Sequence, residues 1–294
     1  MFILLPPSEG KANPSDAPKL QLGSLVLPSL AKVRGSVLSA LVAASSRPKG
    51  EALAALGLSP GQSGELALNK KLRRAATATA AELYTGVLYD ALDLPGLAEN
   101  EPAAFAAANS SILIFSALWG VVRPGDRIPH YRCSAGTRLP ELGSVDTYWK
   151  RELRKPLDTL VGDELVVDLR SGAYTSMWRP GPNSVSVRVV QERIVDGVAK
   201  RTVISHFNKA TKGYLVRALL LAGAEPKNAE EFAAAAAAVG FAIEPVEPVE
   251  PAVLAEPAAA SVPTSVSAPV AVPAPRSAAS KVFDPTAFDL VLRD

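Results

Sequence analysis

The 294-residue chain is 48% hydrophobic and 20% charged, so it can bury a substantial core as one large domain or two ordinary ones. Its formal charge of +2 excludes neither nucleic acid nor a small acidic ligand as a partner. A single cysteine, Cys133, excludes an internal disulfide framework. Besides this cysteine the chain has only two histidines, His130 and His206, so we do not expect a zinc site. No acidic loop has the ligand spacing of a magnesium or calcium site. We predict no metal and no cofactor.

The first residues favour a cytoplasmic protein. The apolar run MFILL ends at Leu5 and no basic segment precedes it, so it does not have the pattern of a signal peptide. No stretch reaches the roughly 18–20 apolar residues that a membrane-spanning helix needs. We therefore expect no contact with a membrane.

The first half of the chain predicts strands separated by helices. Residues 2–5, FILL, indicate a short buried strand that Pro6 and Pro7 end, and such a start is typical of sheets with chemistry at the carboxyl end of the strand. Residues 28–46 have the apolar spacing of a helix, and a second helix is predicted from about Gly64 to Leu83. The apolar segment SILIFSALWG, residues 111–120, predicts the second strong strand.

The second half predicts further strands and one long helix. DELVVDLRSG (163–172) indicates a third buried strand, and NSVSVRVVQERI (183–194) alternates as a half-exposed strand does. RTVISHF (201–207) is expected to pair with it across the Asp-Gly turn signal in DGVAK. Residues 209–224 predict a helix. Strands and helices in this mixture favour an α+β fold, a single mixed-sheet domain with surrounding helices.

The C-terminal region differs in composition. Residues 245–281 are rich in Pro, Ala and Val with no core-forming period, which predicts a disordered tether. Alternation returns in AFDLVLRD (287–294), so we expect residues 282–294 to hold a strand that rejoins the domain formed by residues 1–244. The alternative is that the whole tail after Glu244 is disordered.

Basic residues concentrate in three places. A run from Lys70 to Arg74 lies on the second predicted helix, and such a run is usually a solvated face. VVRPGDRIPHYR, residues 121–132, follows a buried strand directly and carries three arginines in a connection stiffened by Pro124 and Pro129. It would bring guanidinium groups to the rim of a cleft.

The third basic group, FNKATKGYLVR, begins the predicted long helix and contains no acidic residue. Lys209 and Lys212 lie in or beside its first turn, where the helix dipole disfavours cations by a few tenths of a kcal/mol. A bound anion would reverse that cost, because helix N-termini are anion sites. Ser8 and Lys11, after the first strand, could complete the same site.

Two sets of candidate residues follow. The predicted phosphate- or DNA-binding residues are Lys11, Lys71, Arg73, Arg123, Arg132, Lys209, Lys212 and Arg217. The predicted polar and aromatic residues of the cleft are Ser8, Tyr84, Asp126, Tyr131 and Ser171. Asp126 is either a general base or, as we favour, an ion-pair partner that orients Arg123 or Arg132.

Familiar catalytic motifs are missing. PPSEGK has no flanking glycines of a phosphate-binding P-loop, and the chain has neither G-x-G-x-x-G nor G-x-S-x-G. Two histidines give little support to a Ser-His-Asp triad. No catalytic residue is therefore assigned.

Several long strings in this order resemble the peroxide-stress protein YaaA family. They are FILLPPSEGK, LYTGVLYDAL, ILIFSALWGVVRPGDRIPHYR, VDTYWKREL, LVVDLRSGAY and HFNKATKGYLVRALL. The chain departs from the family in its Pro/Ala/Val-rich tether, and in PPSEGK, where others carry a serine-proline-alanine-lysine sequence. Lys11 is kept.

The resemblance implies one compact α+β domain with a positively charged cleft. It also implies double-stranded DNA binding and a part in limiting iron-driven damage under hydrogen peroxide. A helix-hairpin-helix-like element is associated with the family, and ALGLSPGQSGELA, Ala55 to Ala67, is the candidate here.

Three hypotheses remain open. The first is a non-enzymatic, largely sequence-independent binder of double-stranded DNA. The second is an enzyme acting on a nucleobase, nucleotide or other phosphorylated small molecule, with a small anionic ligand in the same cleft. The third is a scaffold in which Arg123 and Arg132 form structural ion pairs. A closed pocket would favour the enzyme and an open groove would favour DNA.

Overall fold

The computed structural model describes residues 1–15, 17–195, 198–203, 206–246 and 287–293. Its strands are β1 (Phe2–Leu5), β2 (Thr77–Thr79), β3 (Ile112–Ser116), β4 (Gly120–Val122), β5 (Arg127–Pro129), β6 (Arg138–Leu139), β7 (Gly143–Ser144), β8 (Val166–Asp168), β9 (Ser184–Val195), β10 (Val198–Val203), β11 (Ile243–Pro245) and β12 (Ala287–Arg293). Its helices are α1 (Ala31–Ser45), α2 (Lys49–Leu56), α3 (Gly64–Lys71), α4 (Ala80–Leu83), α5 (Val87–Leu92), α6 (Leu94–Asn100), α7 (Pro102–Ser111), α8 (Val145–Val161), α9 (Gly172–Thr175), α10 (His206–Leu221) and α11 (Ala229–Ala238).

The centre of the main sheet is β1, which pairs in parallel with β3 on one side and with β8 on the other. Every residue of β3 is buried, as is the Ile3–Leu5 part of β1. Continuous apolar runs of this kind are typical of parallel strands covered on both faces. The strands predicted from FILL, SILIFSALWG and DELVVDLRSG are confirmed.

The sheet has the strand order β11-β12-β9-β8-β1-β3-β4, with β10 also paired to β9. β8, β9 and β12 continue the parallel arrangement, whereas the β3–β4, β9–β10 and β11–β12 pairs are antiparallel. The α+β fold with one mixed sheet and surrounding helices is therefore confirmed. The predicted antiparallel pairing of this region with β9 is confirmed, but the strand covers Val198–Val203 instead of residues 201–207, and His206 already begins α10. Residues 196–197, in the predicted turn, lie outside the described residues.

The C-terminal strand β12 lies inside the sheet between β9 and β11. Its Leu290 is opposite Val189 of β9 and Ile243 of β11. Asp289 of the same strand is buried and pairs with Arg188 of β9. Residues 247–286, which hold most of the predicted tether, lie outside the described residues, so the division of the chain into domains stays a prediction.

The helix predicted from about Gly64 to Leu83 is wrong in its second half. α3 ends at Lys71, and the chain then forms β2, which pairs antiparallel with β5. The β-branched residues Thr77 and Thr79 favour this strand. Thr79 also caps α4 by accepting a hydrogen bond from the Glu82 N–H, so a new short helix begins there. The predicted 28–46 helix is confirmed as α1.

A close helix contact connects α10 with α5. A Cβ atom built on Gly213 of α10 would lie 2.3 Å from the Leu88 carbonyl oxygen and 2.8 Å from the Ala91 Cβ atom. Only glycine therefore lets the two helices approach this closely. The contact fixes the position of α10, which carries Lys209, relative to α5, which follows the Tyr84–Gly86 loop.

We expect Gly213→Ala to lower the free energy of unfolding by about 2 kcal/mol, because the added methyl group forces α10 away from α5. Gly50→Ala is the matched control, since Gly50 lies in α2 with open space around it. It should raise stability by about 0.5–1 kcal/mol through its helix propensity. Urea unfolding of both variants gives the comparison. Equal effects would contradict the proposed close packing.

Candidate functional site

A pocket of about 480 Å³ lies at the carboxyl end of β1. Its walls come from residues 6–11 after β1, residues 85–89, residues 131–136, the Ser171–Tyr174 segment after β8, and Lys209 of α10. β1 and β8 are parallel neighbours, so the segments that follow them leave the sheet at the same edge. The topology of the sheet thus assembles the pocket from distant parts of the chain.

Seven of the thirteen predicted site residues meet here. Six line the pocket directly: Ser8, Lys11, Tyr131, Arg132, Ser171 and Lys209. Tyr84 lies behind them, and its hydroxyl is 2.8 Å from the Tyr131 hydroxyl. A pocket that contains three cations, Lys11, Arg132 and Lys209, is therefore present where the first strand ends.

Backbone contacts hold the Lys11 segment against the Tyr84 segment. Lys11 and Tyr84 form an isolated antiparallel bridge. The Thr85 N–H donates to the Gly10 carbonyl at 3.2 Å, and the Ala12 N–H donates to the Leu83 carbonyl at 2.8 Å. Lys11 is consequently fixed at the base of the pocket.

The Lys11 ammonium group is held by carbonyl groups and aromatic rings. Its Nζ donates to the carbonyl oxygens of Ser8 at 2.7 Å and Glu9 at 3.3 Å. It also lies 4.5 Å from the centre of the Tyr131 ring and 5.6 Å from that of Tyr84. Burial, reinforced by the positive charge of Arg132, lowers the pKa of Lys11 from 10.5 to about 8.

A buried chain of hydroxyl groups supports this wall. The Tyr131 hydroxyl is hydrogen-bonded to Tyr84 and, at 2.7 Å, to the Ser116 hydroxyl. Ser116 in turn accepts from the Trp119 N–H at 3.1 Å. Burial raises the pKa of both tyrosines, so both stay neutral and keep the network intact at physiological pH.

Arg132 and Glu9 form an ion pair at the rim of the pocket, with Arg132 Nη1 3.1 Å from Glu9 Oε2. The Glu9 side chain is 77% exposed and that of Arg132 only 17%. The backbone of Arg132 is anchored to Asn69, which accepts from its N–H and donates to its carbonyl. The Arg132 side chain is therefore largely enclosed and starts from an anchored backbone, whereas its exposed partner carboxylate can exchange for another anion.

Buried cations hold the Ser171–Tyr174 wall. The Arg170 guanidinium pairs with Asp168 at 2.6 Å and donates to the carbonyl oxygens of Tyr174 and Trp178. Lys212 is also buried, and its Nζ donates to the Leu169 carbonyl at 3.2 Å. Lys212 thus ties α10 to the end of β8 instead of lining the pocket as a phosphate ligand.

Arg123 and Asp126 lie away from the pocket lining. The Asp126 carboxylate accepts from the N–H groups of Arg123 and Val26, at 2.9 and 3.0 Å. Asp126 therefore shapes the turn between β4 and β5 by binding backbone groups, and not by the expected side-chain ion pair. Nε of Arg123 is buried with no hydrogen-bond partner among the described residues.

A second buried arginine, Arg34 of α1, fixes the loop that faces this turn. Its guanidinium donates to the carbonyl oxygens of Val26, Leu27, Trp119 and Val121. Burial lowers the pKa of Arg34 to about 10, so it remains charged. The sequence contained no signal for this role.

The remaining predicted cations lie on other surfaces. Arg217 donates to the carbonyl oxygens of Leu92 and Asp93, which ties α10 to the end of α5. Arg73 donates to the Ser39 hydroxyl at 2.6 Å. Lys71 lines a separate groove of about 650 Å³ with Lys70, Arg74 and His130. The sequence therefore predicted one cationic site where the structure has two neighbouring surfaces.

The Ala55–Ala67 segment forms a tight connection between two helices. It includes the end of α2, Gly57 in the left-handed conformation, a 3₁₀ turn at Pro60–Gln62 and the start of α3. Gly61 and Gly64 are exposed in this connection. It leads directly into α3, whose last turn carries Lys70 and Lys71.

Some lining residues were not predicted. Glu9, Thr85 and Tyr174 had no distinctive pattern, and only their positions beside predicted residues could have indicated them. Cys133 also lines the pocket, where burial raises the pKa of its thiol to about 12. Among the described residues, no group of three or more His, Cys, Asp or Glu side chains is placed to hold a metal ion. No helix in the described ranges is both long and apolar enough to span a membrane.

Replacing Lys11 by Met should stabilise the folded chain at neutral pH by about 1–2 kcal/mol, because a buried charge disappears. The pKa of Lys11 falls to about 8 in the folded state, and the unfolded state keeps a pKa near 10.5. The native charge therefore has its full cost below pH about 8, and the cost vanishes above about 10.5. The gain from Lys11→Met should shrink across that interval in denaturant unfolding.

Lys209→Met is the control for this measurement, since Lys209 lines the same pocket but is exposed. It should change the free energy of unfolding by less than about 0.5 kcal/mol. A Lys11→Met variant that is destabilised at every pH would contradict the assigned environment.

Comparison with known proteins identifies the family. The sequence profile described as peroxide stress protein YaaA matches residues 1–246. A UPF0246 protein of Streptomyces coelicolor is 45% identical over 248 residues, covering 84% of this chain and 94% of the relative. UPF0246 proteins of Corynebacterium efficiens and Corynebacterium glutamicum are 43% and 40% identical, each covering 83% of this chain and 95% of the relative. The chain therefore belongs to the peroxide stress protein YaaA family.

Proposed function

We propose that the protein binds double-stranded DNA through its phosphate backbone and so helps to limit iron-driven damage during peroxide stress. The family supports the role in peroxide stress. The observation that carries DNA binding is an exposed cationic face on and around α3. Its members are Arg47, Lys49, Lys70, Lys71 and Arg74.

Lys70 lies between two adjoining depressions on this face. One is lined also by Lys71 and Arg74, and the other by Arg47 and Lys49. In the part of the chain that the structure describes, none of the five cations forms an ion pair. Exposed charges without partners attract a polyanion at long range, and each can neutralise one phosphate.

The shape of the α2–α3 connection supports the same proposal. The turn brings exposed glycines to the start of α3, where backbone N–H groups and the helix dipole favour a phosphate. Lys70 and Lys71 project from the last turn of the same helix. Contacts to the backbone from both ends of α3 would position a duplex without reading its sequence.

The cationic face also adjoins the pocket. His130 lines the groove beside α3, and the next residue, Tyr131, lines the pocket. His130 Nδ1 is 2.7 Å from Asn13 Oδ1, so the strip between the two surfaces is itself held in place. A duplex bound along α3 would therefore lie next to Lys11 and Arg132.

Exchanging Lys70, Lys71 and Arg74 together for Ala should weaken duplex binding and flatten its salt dependence. The slope of log K against log salt should fall by about 0.9 for each phosphate that is no longer neutralised, which is up to about 3 for the triple variant. Fluorescence anisotropy with a labelled duplex over a range of salt concentrations measures this slope.

The matched control removes three cations from another helix surface. Lys150, Arg154 and Lys155 of α8 are exposed, and replacing them by Ala lowers the net charge equally. Binding by this control should stay close to that of the native chain. Equally weakened binding in the two triple variants, or a flat salt dependence for the native chain, would refute the assigned surface.

A second candidate function is an enzyme that acts on a nucleobase, nucleotide or other phosphorylated small molecule. The specific observation in its favour is the convergence of Lys11, Arg132 and Lys209 with the hydroxyls of Ser8 and Ser171 around one pocket. Backbone binding of DNA does not require an amine at the base of such a pocket.

A further inference from the structure

The position of Lys11 is unusual for a residue that only contacts phosphate. Its amine is at the base of the pocket, and the carbonyl oxygens of Ser8 and Glu9 occupy two of its three hydrogen-bonding positions. In the described part of the chain no third acceptor lies within hydrogen-bond distance of it. One position of the nitrogen is thus left for a ligand.

The surroundings of Lys11 favour a neutral amine. Burial and the charge of Arg132 lower the pKa of Lys11 to about 8, so the neutral amine is far more accessible near physiological pH than in a solvated lysine. A lysine that is desolvated and next to another cation is a nucleophile toward carbonyl carbon. Arg132 is that second cation here.

The rest of the pocket suits a phosphate group on the same ligand. Arg132 and the exposed Lys209 supply positive charge, and Ser8 and Ser171 supply hydroxyl donors. A phosphate could replace the exposed Glu9 carboxylate on the largely enclosed Arg132 guanidinium. A volume of about 480 Å³ accommodates a sugar phosphate with room for its ring-opened form.

We propose that Lys11 is a catalytic nucleophile that forms an imine with a phosphorylated sugar aldehyde bound in this pocket. The neutral amine nitrogen attacks the aldehyde carbon, and a C–N bond forms as the C=O π bond opens to give a carbinolamine. The remaining C–O bond then breaks as the nitrogen lone pair forms the C=N bond. The two amine protons leave with the carbonyl oxygen as water, so the condensation needs no oxidant, reductant or further reactant. Hydrolysis reverses it.

Two sources could supply this aldehyde. One is a free sugar phosphate, and the other is the ring-opened deoxyribose of an abasic site, which carries phosphate on both sides. The second source depends on the proposed DNA function, because the pocket adjoins the cationic face at His130 and Tyr131. The first source does not depend on it.

Borohydride trapping tests the proposal, because hydride converts an imine into a stable secondary amine. The full chain would be incubated with 2-deoxyribose 5-phosphate, with a duplex containing one abasic deoxyribose, or with unphosphorylated 2-deoxyribose. We expect adduct with at least one phosphorylated probe, located on Lys11 by peptide mass spectrometry. Trapping should increase with pH through about 8, and be at least about tenfold faster than with the unphosphorylated sugar.

Two variants separate imine formation by Lys11 from phosphate binding by Lys209. Lys11→Arg keeps the positive charge but cannot form an imine, so its adduct should disappear while it still binds an intact duplex. Lys209→Gln should keep the Lys11 adduct and lose most of the advantage of the phosphorylated probe. Circular dichroism of both variants shows whether they are folded.

The outcomes distinguish the two proposals. Adduct with free sugar phosphate but no binding of intact duplex supports the imine and refutes the DNA function. Duplex binding that does not require Lys11, with no adduct from any probe, supports the DNA function and refutes the imine. The imine proposal is also refuted if the adduct forms on Lys71 and Lys209 as much as on Lys11. It is refuted as well if the Lys11→Arg variant forms as much adduct as the native chain.

Discussion

The parallel pairing of β1 with β3 and β8 is the constraint on which the candidate site depends. Burial of these apolar strands fixes their register, and the carboxyl ends of β1 and β8 then lie side by side. The segments that follow these strands therefore leave the sheet at the same edge, and Ser8–Lys11 and Ser171–Tyr174 both line one pocket there. The position of the pocket is thus a consequence of how the core packs.

Buried cations hold several backbone segments around the pocket and the neighbouring turn in place. Arg34 donates hydrogen bonds to four carbonyl oxygens. Arg170 pairs with Asp168 and also donates to two carbonyl oxygens, and Lys212 donates to the Leu169 carbonyl. Each satisfies buried or partly buried backbone carbonyl groups, most of which lie in loops. Lys11 differs, because its amine borders open pocket space and its burial leaves it partly neutral. The cations on α3 differ again, since they are exposed and have no structural task in the described residues.

Local patterns in the sequence predicted the elements whose stability comes from their own residues. FILL and SILIFSALWG are apolar runs bounded by proline or glycine, and both are buried strands. The predicted helix was wrong between Lys71 and Thr79. The residues there have helical spacing but form β2, because β5 is available as a partner strand. Contacts with distant segments overrode local propensity at that point.

The sequence by itself determined the α+β class and the central strands, and it predicted Lys11, Arg132 and Lys209 among eight candidate phosphate-binding residues. Only the tertiary structure decided that these three meet in one pocket, that Lys212 and Arg217 hold backbone carbonyls instead, and that Lys71 faces a separate groove. The physical reason is that composition and periodicity report burial along one element. Whether a charged side chain meets solvent, a carbonyl group or another charge depends on residues far away in the chain, which pack beside it only in the folded state.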